Sequence, residues 1–171
     1  MESLYGGMLC RGPSTEHGFF YDLFTEGRSV ASSDFAELER ICRSMMRERH
    51  PFERVEVPRA ELLELFQYNE FKLRLIERKV STPTATVYRC GSLVDLCRGP
   101  HIRHTGQIKA FRIEKSAAVH WDGNPEKELL HRIHGISFPD PKGLAEWDRL
   151  QEEARNRDHR KIGKVRSLWV L

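Results

Sequence analysis

Cys97 and His101 stand four residues apart across a Gly99-Pro100 step, with Asp95 two residues before the thiol and Arg98 directly after it. Thiol, imidazole, carboxylate and guanidinium therefore fall within one octapeptide, Val94-Asp95-Leu96-Cys97-Arg98-Gly99-Pro100-His101. Several chemistries suit such a set. A cationic neighbour lowers a thiol pKa, so Cys97 could act as a nucleophile with His101 as base and Asp95 orienting it. Zinc needs three or four ligands, and the chain offers Cys97 and His101 at good spacing with His104 as the candidate third. Activation of a water molecule is a further use of the same groups. The bland alternative is a buried cysteine at a strand end beside a surface histidine in a loop, because buried free cysteine is common. The octapeptide alone leaves these readings open.

Two other clusters carry less. His131 and His134 are three apart and would share a face on a helix. No Glu or Cys supports them at a ligand spacing, so they read as an exposed polar face rather than a metal site. Arg155, Arg157, Arg160, Lys161, Lys164 and Arg166 crowd the C-terminus. A helix this basic could lie along phosphates, although Glu152, Glu153 and Asp158 dilute it toward an ordinary solvated helix.

The elements that must position these groups are short. Gly18 to Phe24 reads as a strand entered from a Pro13 to His17 turn, and its four aromatics mark a core or a pocket wall. A helix follows from about Ser33 to Arg49, with Phe35, Leu38, Ile41, Cys42, Met45 and Met46 on one stripe. Asp34 and Glu37 have capping-box spacing. Phe52 to Val57 alternates as a half-buried strand, and Pro58 opens a second helix through Leu62, Leu63, Leu65 and Phe66. Phe71 to Ile76 is a short helical run. Thr82 to Tyr88 and Ile108 to Ile113 are strand-like. Leu129, Leu130 and Ile133 suggest a short helix. Asp140 and Pro141 have the chemistry of an N-cap and a first helical residue, opening a last helix that carries Leu144, Trp147, Leu150 and Ala154 on one face. Short strands with segregated helices argue for an α+β fold rather than alternating βαβ units.

Composition narrows the class. The chain has 171 residues, enough for about one domain. Its 28 Lys and Arg against 25 Asp and Glu give a net charge of +3, which does not by itself demand nucleic acid. Four cysteines without a C-x-x-C pair point to free thiols in a reducing compartment. The N-terminus lacks the basic flank and apolar run of a signal peptide, and no apolar stretch approaches the ~20 residues needed to cross a bilayer. The expectation is a cytoplasmic protein with no membrane partner.

The run Cys90-Gly-Ser-Leu-Val-Asp-Leu-Cys97-Arg-Gly-Pro-His101 resembles the signature of the editing domain of threonyl-tRNA synthetases, the second additional domain shared with alanyl-tRNA synthetases. Gly12-Pro13 followed by Gly18-Phe19-Phe20-Tyr21-Asp22 is similar to its opening. Phe71-Lys72 resembles its pocket helix, and Gly135-Ile136-Ser137-Phe138 its exit. Arg157-Asp158-His159-Arg160-Lys161-Ile162-Gly163 resembles the linker helix toward the synthetase core. The wording is nearest to the eukaryotic cytosolic type and runs from about residue 4 to residue 164.

The resemblance implies an editing-type α+β domain over residues 1–139, a linker helix over 140–164 and a divergent tail over 165–171. It implies hydrolysis of the ester of serine wrongly attached to threonine tRNA. Cys97, His101, Lys72 and Asp95 would be the catalytic set, with Asp95 contacting the seryl moiety and Lys72 holding water or developing negative charge. Tyr21, Arg98, Gly99 and Pro100 would border the substrate. Arg103, Arg157, Arg160, Lys161 and Lys164 would meet the tRNA acceptor end. Neither metal nor cofactor is expected, and a full-length threonyl-tRNA synthetase is a second candidate partner. The family carries a further catalytic helix upstream, H-x-x-x-H in bacteria and His-x-x-x-Glu-like in eukaryotes, and a class II catalytic core downstream. Neither pattern occurs in this sequence, which would make it truncated at both ends. The alternative it leaves is a catalytically impaired tRNA- or synthetase-binding fragment or isoform.

Overall fold

The computed structural model describes the backbone of residues 1–167 and, Ser3 apart, the side chains of residues 1–157. In chain order the elements are α1 (Glu2–Tyr5), β1 (Met8–Leu9), β2 (Ser14–Thr15), β3 (Gly18–Phe24), α2 (Phe35–Glu48), β4 (Phe52–Pro58), α3 (Arg59–Leu65), α4 (Glu70–Lys79), β5 (Thr84–Cys90), β6 (Leu93–Leu96), β7 (Ala110–His120), β8 (Leu129–Phe138) and α5 (Pro141–Ser167). They build two antiparallel sheets with helices alongside, an α+β fold. One sheet runs β1-β3-β8-β7, with β2 also paired to β3. The other runs β4-β5-β6.

Helix α4 joins the two sheets. Asn69 caps it by accepting the Lys72 backbone N–H at 3.1 Å, and the same side chain donates to the Leu9 carbonyl at 2.8 Å. Asn69 is fully buried, so both ends of its amide must be satisfied, and they are. Phe71 and Leu75 then pack with Cys10, Trp121 and Leu130 of the first sheet's surroundings. Ile76 packs with Leu62, Phe66 and Val87 under the second sheet. A third cluster, Leu9, Leu23, Val30, Leu38, Ile113 and Ile133, lies between α2 and the first sheet.

Three local expectations are corrected. The helix expected at Leu129 to Ile133 is the start of strand β8. Its i, i+1, i+4 apolar spacing imitates a helix because β8 lies centrally between β3 and β7 and takes apolar neighbours on both faces. His131 and His134 consequently point to opposite faces, and His134 meets the Phe20 ring at 5.7 Å. The capping box at Asp34 and Glu37 does not form. Asp34 instead accepts from the Ala31 N–H and the Tyr5 hydroxyl, and Glu37 pairs with Arg40. Of the α2 stripe only Leu38 is fully buried, so that helix lies on the edge of the core. At α5 the expected cap holds: Asp140 Oδ1 accepts the Lys142 N–H at 2.8 Å. No described helix is long and apolar enough to cross a membrane.

Candidate active site

A cavity of about 1010 Å³ opens between the two sheets and α4. Strand β6 brings the octapeptide to it. Asp95 sits opposite Tyr88 on β5, and Val94 and Leu96, its neighbours of opposite orientation, pack into the core beneath the sheet. The pleat therefore leaves Asp95 facing the cavity.

Asp95 accepts hydrogen bonds from Lys72 Nζ on α4 and from the Tyr21 hydroxyl on β3. Lys72 Nζ also donates to the Tyr21 oxygen at 2.9 Å, which closes a triangle of three elements. The Leu96 N–H gives Asp95 a further donor at 2.7 Å. The Lys72 side chain is 4 % exposed and Asp95 19 %. An ammonium has three N–H donors, so two are committed here and one is left for a bound molecule. Burial, followed by the Asp95 charge, drives the Tyr21 phenol far above its ordinary value. It stays protonated and donates.

Past the end of β6 the Cys97 N–H still donates to the Thr86 carbonyl at 3.2 Å. The chain then turns through Gly99 at φ 72°, the left-handed region that favours glycine. A Cβ there would fall on the Tyr88 hydroxyl. This turn returns His101 Nε2 to 3.1 Å from Cys97 Sγ, and the Gly99 N–H lies 3.4 Å from the same sulfur. The imidazole stacks on Phe52 at 4.9 Å and meets the Tyr88 ring edge at 4.5 Å. Burial lowers the His101 pKa, opposed by the Asp95 charge, so the ring is neutral near pH 7. Beyond it the loop is tied down by Phe52 N–H to the Arg103 carbonyl at 3.0 Å and Thr105 N–H to the His50 carbonyl at 2.9 Å.

Cys97, His101, Lys72, Asp95 and Tyr21 thus share one cavity, and Arg98 stands on its lining. Asp95 does not orient His101. Its hydrogen-bond partners are Lys72, Tyr21 and Leu96. Gly99 and Pro100 form the turn and are not part of the wall. Arg103 is exposed and holds the loop through its backbone. Arg157 is exposed on α5 with Glu153 at 3.5 Å. Arg160, Lys161 and Lys164 lie on the same helix, with side chains outside the described residues. His104 faces Arg49 at 3.4 Å. Among the described residues no three His, Cys, Asp or Glu side chains cluster as metal ligands.

Sequence reasoning missed a second polar group on this wall. Asp22 is fully buried and is clasped by Arg132, at 2.7 Å and 2.9 Å, and by Arg11 at 3.4 Å. Both arginines line the cavity. An acid inside an apolar run was the signal, since a buried carboxylate needs partners. Cys10, also on the wall, is pushed up to about 12 by burial, which makes it an inert thiol.

Residues 85–134 match the threonyl and alanyl tRNA synthetase second additional domain. The whole chain is 57% identical to mouse cytoplasmic threonine–tRNA ligase 2, of which it covers 22%. It is 56% identical to human cytoplasmic threonine–tRNA ligase 1 and 50% identical to the cytoplasmic enzyme of Caenorhabditis elegans, covering 24% of each. The chain therefore spans about a quarter of the length of these curated relatives.

Proposed function

We propose that this threonyl-tRNA-synthetase-type region is an editing module that hydrolyses the ester of serine mischarged onto threonine tRNA. What supports this reading most is the meeting of Lys72, Tyr21 and Asp95 with the Cys97–His101 pair on one cavity. Threonine and serine differ by one methyl, worth about 1–3 kcal/mol of discrimination, so a second sieve is needed for fidelity. A pocket sized for serine excludes threonine by contact with that methyl.

In this reading Asp95 accepts hydrogen bonds from the seryl amino group. The uncommitted proton of Lys72 points to the attacking water or to the oxygen that gains charge in the tetrahedral intermediate. Water forms the new bond to the carbonyl carbon, the carbon–ribose oxygen bond breaks, and a proton passes to the ribose oxygen. Neutral His101 positions the water together with the Cys97 sulfur, and no covalent thioester is required. Arg98, Arg103, Arg157, Arg160, Lys161 and Lys164 serve the tRNA acceptor end. The cytoplasm is the compartment, as the relatives' names carry that word.

Comparing deacylation of seryl- and threonyl-tRNA(Thr) by the purified chain tests the sieve. Seryl-tRNA should be cleared at least tenfold faster. Equal rates would remove the discrimination, and a chain that retains salt-sensitive tRNA binding with no cleavage would be a binding module instead.

A further inference from the structure

Arg132 Nη2 and Arg11 Nε meet on Oδ2 of Asp22, a carboxylate that is 1 % exposed, and both arginines then border the cavity. Arg132 gives Asp22 its Nε and Nη2 protons, while its guanidinium carbon lies 3.8 Å from the centre of the Phe20 ring. A guanidinium bound in a fork and stacked on an aromatic face has little freedom left. Its Nη1 has no hydrogen-bond partner among the described residues. Arg11 is held between Asp22 and, at 3.7 Å, Asp122, with its guanidinium 5.7 Å from the Trp121 ring centre. Gly12 lets the next backbone step lie against the Tyr21 ring, where a Cβ would collide. Asp22 and Asp122 face Arg132 and Arg11, and Arg78 and Lys127 also pair with Asp122, so the cluster on the wall keeps an excess of positive charge. This wall belongs to the first sheet, whereas Cys97 and His101 follow the second.

We infer that Arg132, with Arg11, is a phosphate post. It holds the phosphodiester on the 5′ side of the nucleotide whose aminoacyl ester enters the cavity. This rests on the editing reading above and adds to it a site for the backbone of the RNA terminus. A rigid guanidinium with a free edge suits a phosphate oxygen, and a charge-assisted bond in a partly dry site is stronger than one in water. The role is to set how deep the ester sits, so Arg132 is a positioning residue.

The test uses two stable amides, 3′-seryl-amino-3′-deoxyadenosine with and without a 5′-phosphate, titrated calorimetrically into the wild-type chain. The phosphorylated compound should bind about tenfold more tightly, as one charge-assisted contact provides. Arg132→Lys keeps a charge beside Asp22 and so protects folding, but loses the fork. It and Arg11→Gln should each reduce the phosphate-dependent gain below about threefold. Equal affinity of the two amides for the wild type would overturn the inference while leaving the editing reading intact. So would a gain that survives in both variants. Failure of either amide to bind would remove the editing reading and the phosphate post together.

Discussion

Lys72 and Asp95 meet side chain to side chain although one rises from α4 and the other from β6, and the Tyr21 hydroxyl bonds both. This contact ties the helix to both sheets at the cavity. It is nearly dry, so its two halves depend on each other.

Removing one member should therefore cost more than removing both. Lys72→Met leaves Asp95 without its cation and should lower unfolding free energy by about 3–5 kcal/mol. Adding Asp95→Asn should restore part of that loss. Urea unfolding of the single and double variants measures the coupling, and strictly additive losses would contradict it.

Tyr21→Phe keeps the ring that packs against Gly12 and removes only the hydroxyl. It should cost about 1 kcal/mol of stability, the scale of one hydrogen bond. Ester hydrolysis should fall at least ~10-fold, because Lys72 and Asp95 lose the group that fixes their geometry. Single-turnover deacylation beside thermal unfolding separates the two effects.

Acid should act through His101. Burial lowers its pKa from 6.5, as it also does for His134. The unfolded chain then binds protons at a higher pH than the folded one, so stability falls as pH drops below about 6.5. Activity that needs the neutral ring should hold above pH 6.5 and decline on an acid limb with its midpoint below that value. A midpoint above 6.5 would contradict the neutral imidazole.

Gly99→Ala meets two obstacles, a φ of 72° and the Tyr88 hydroxyl. Stability should fall by about 1–3 kcal/mol, the range for strain at a special backbone conformation. The larger loss should be in hydrolysis, since His101 is returned to Cys97 by this turn. Tyr88→Phe in the same chain should recover some of the stability by removing the clashing oxygen.

What the sequence made legible follows from distance along the chain. The Cys97–His101 contact spans four residues and one turn, and the spacing alone suggests it. Strand β4, read as half-buried, is mostly exposed, with Val55 48 % accessible, whereas helices α3 and α4 have apolar patterns that match their period. Strand β8 does not, because a central strand is apolar on both faces and imitates a helix over a few residues. The partners of Asp95 lie 23 and 74 residues away, so its spacing favoured His101 and missed Lys72 and Tyr21 as bonding partners. The Asp22–Arg132 pair is 110 residues apart and exists only because β3 and β8 are neighbours in register.

The most direct measurement is the first-order loss of serine from seryl-tRNA(Thr) with the chain in excess, for the wild type beside Lys72→Ala and Cys97→Ala. If the cavity is the hydrolytic site, the wild-type rate exceeds that in buffer, and Lys72→Ala lowers it at least ~100-fold, the size expected for one lost charge-stabilising donor. A wild-type rate equal to buffer, or one untouched by both substitutions, would contradict it.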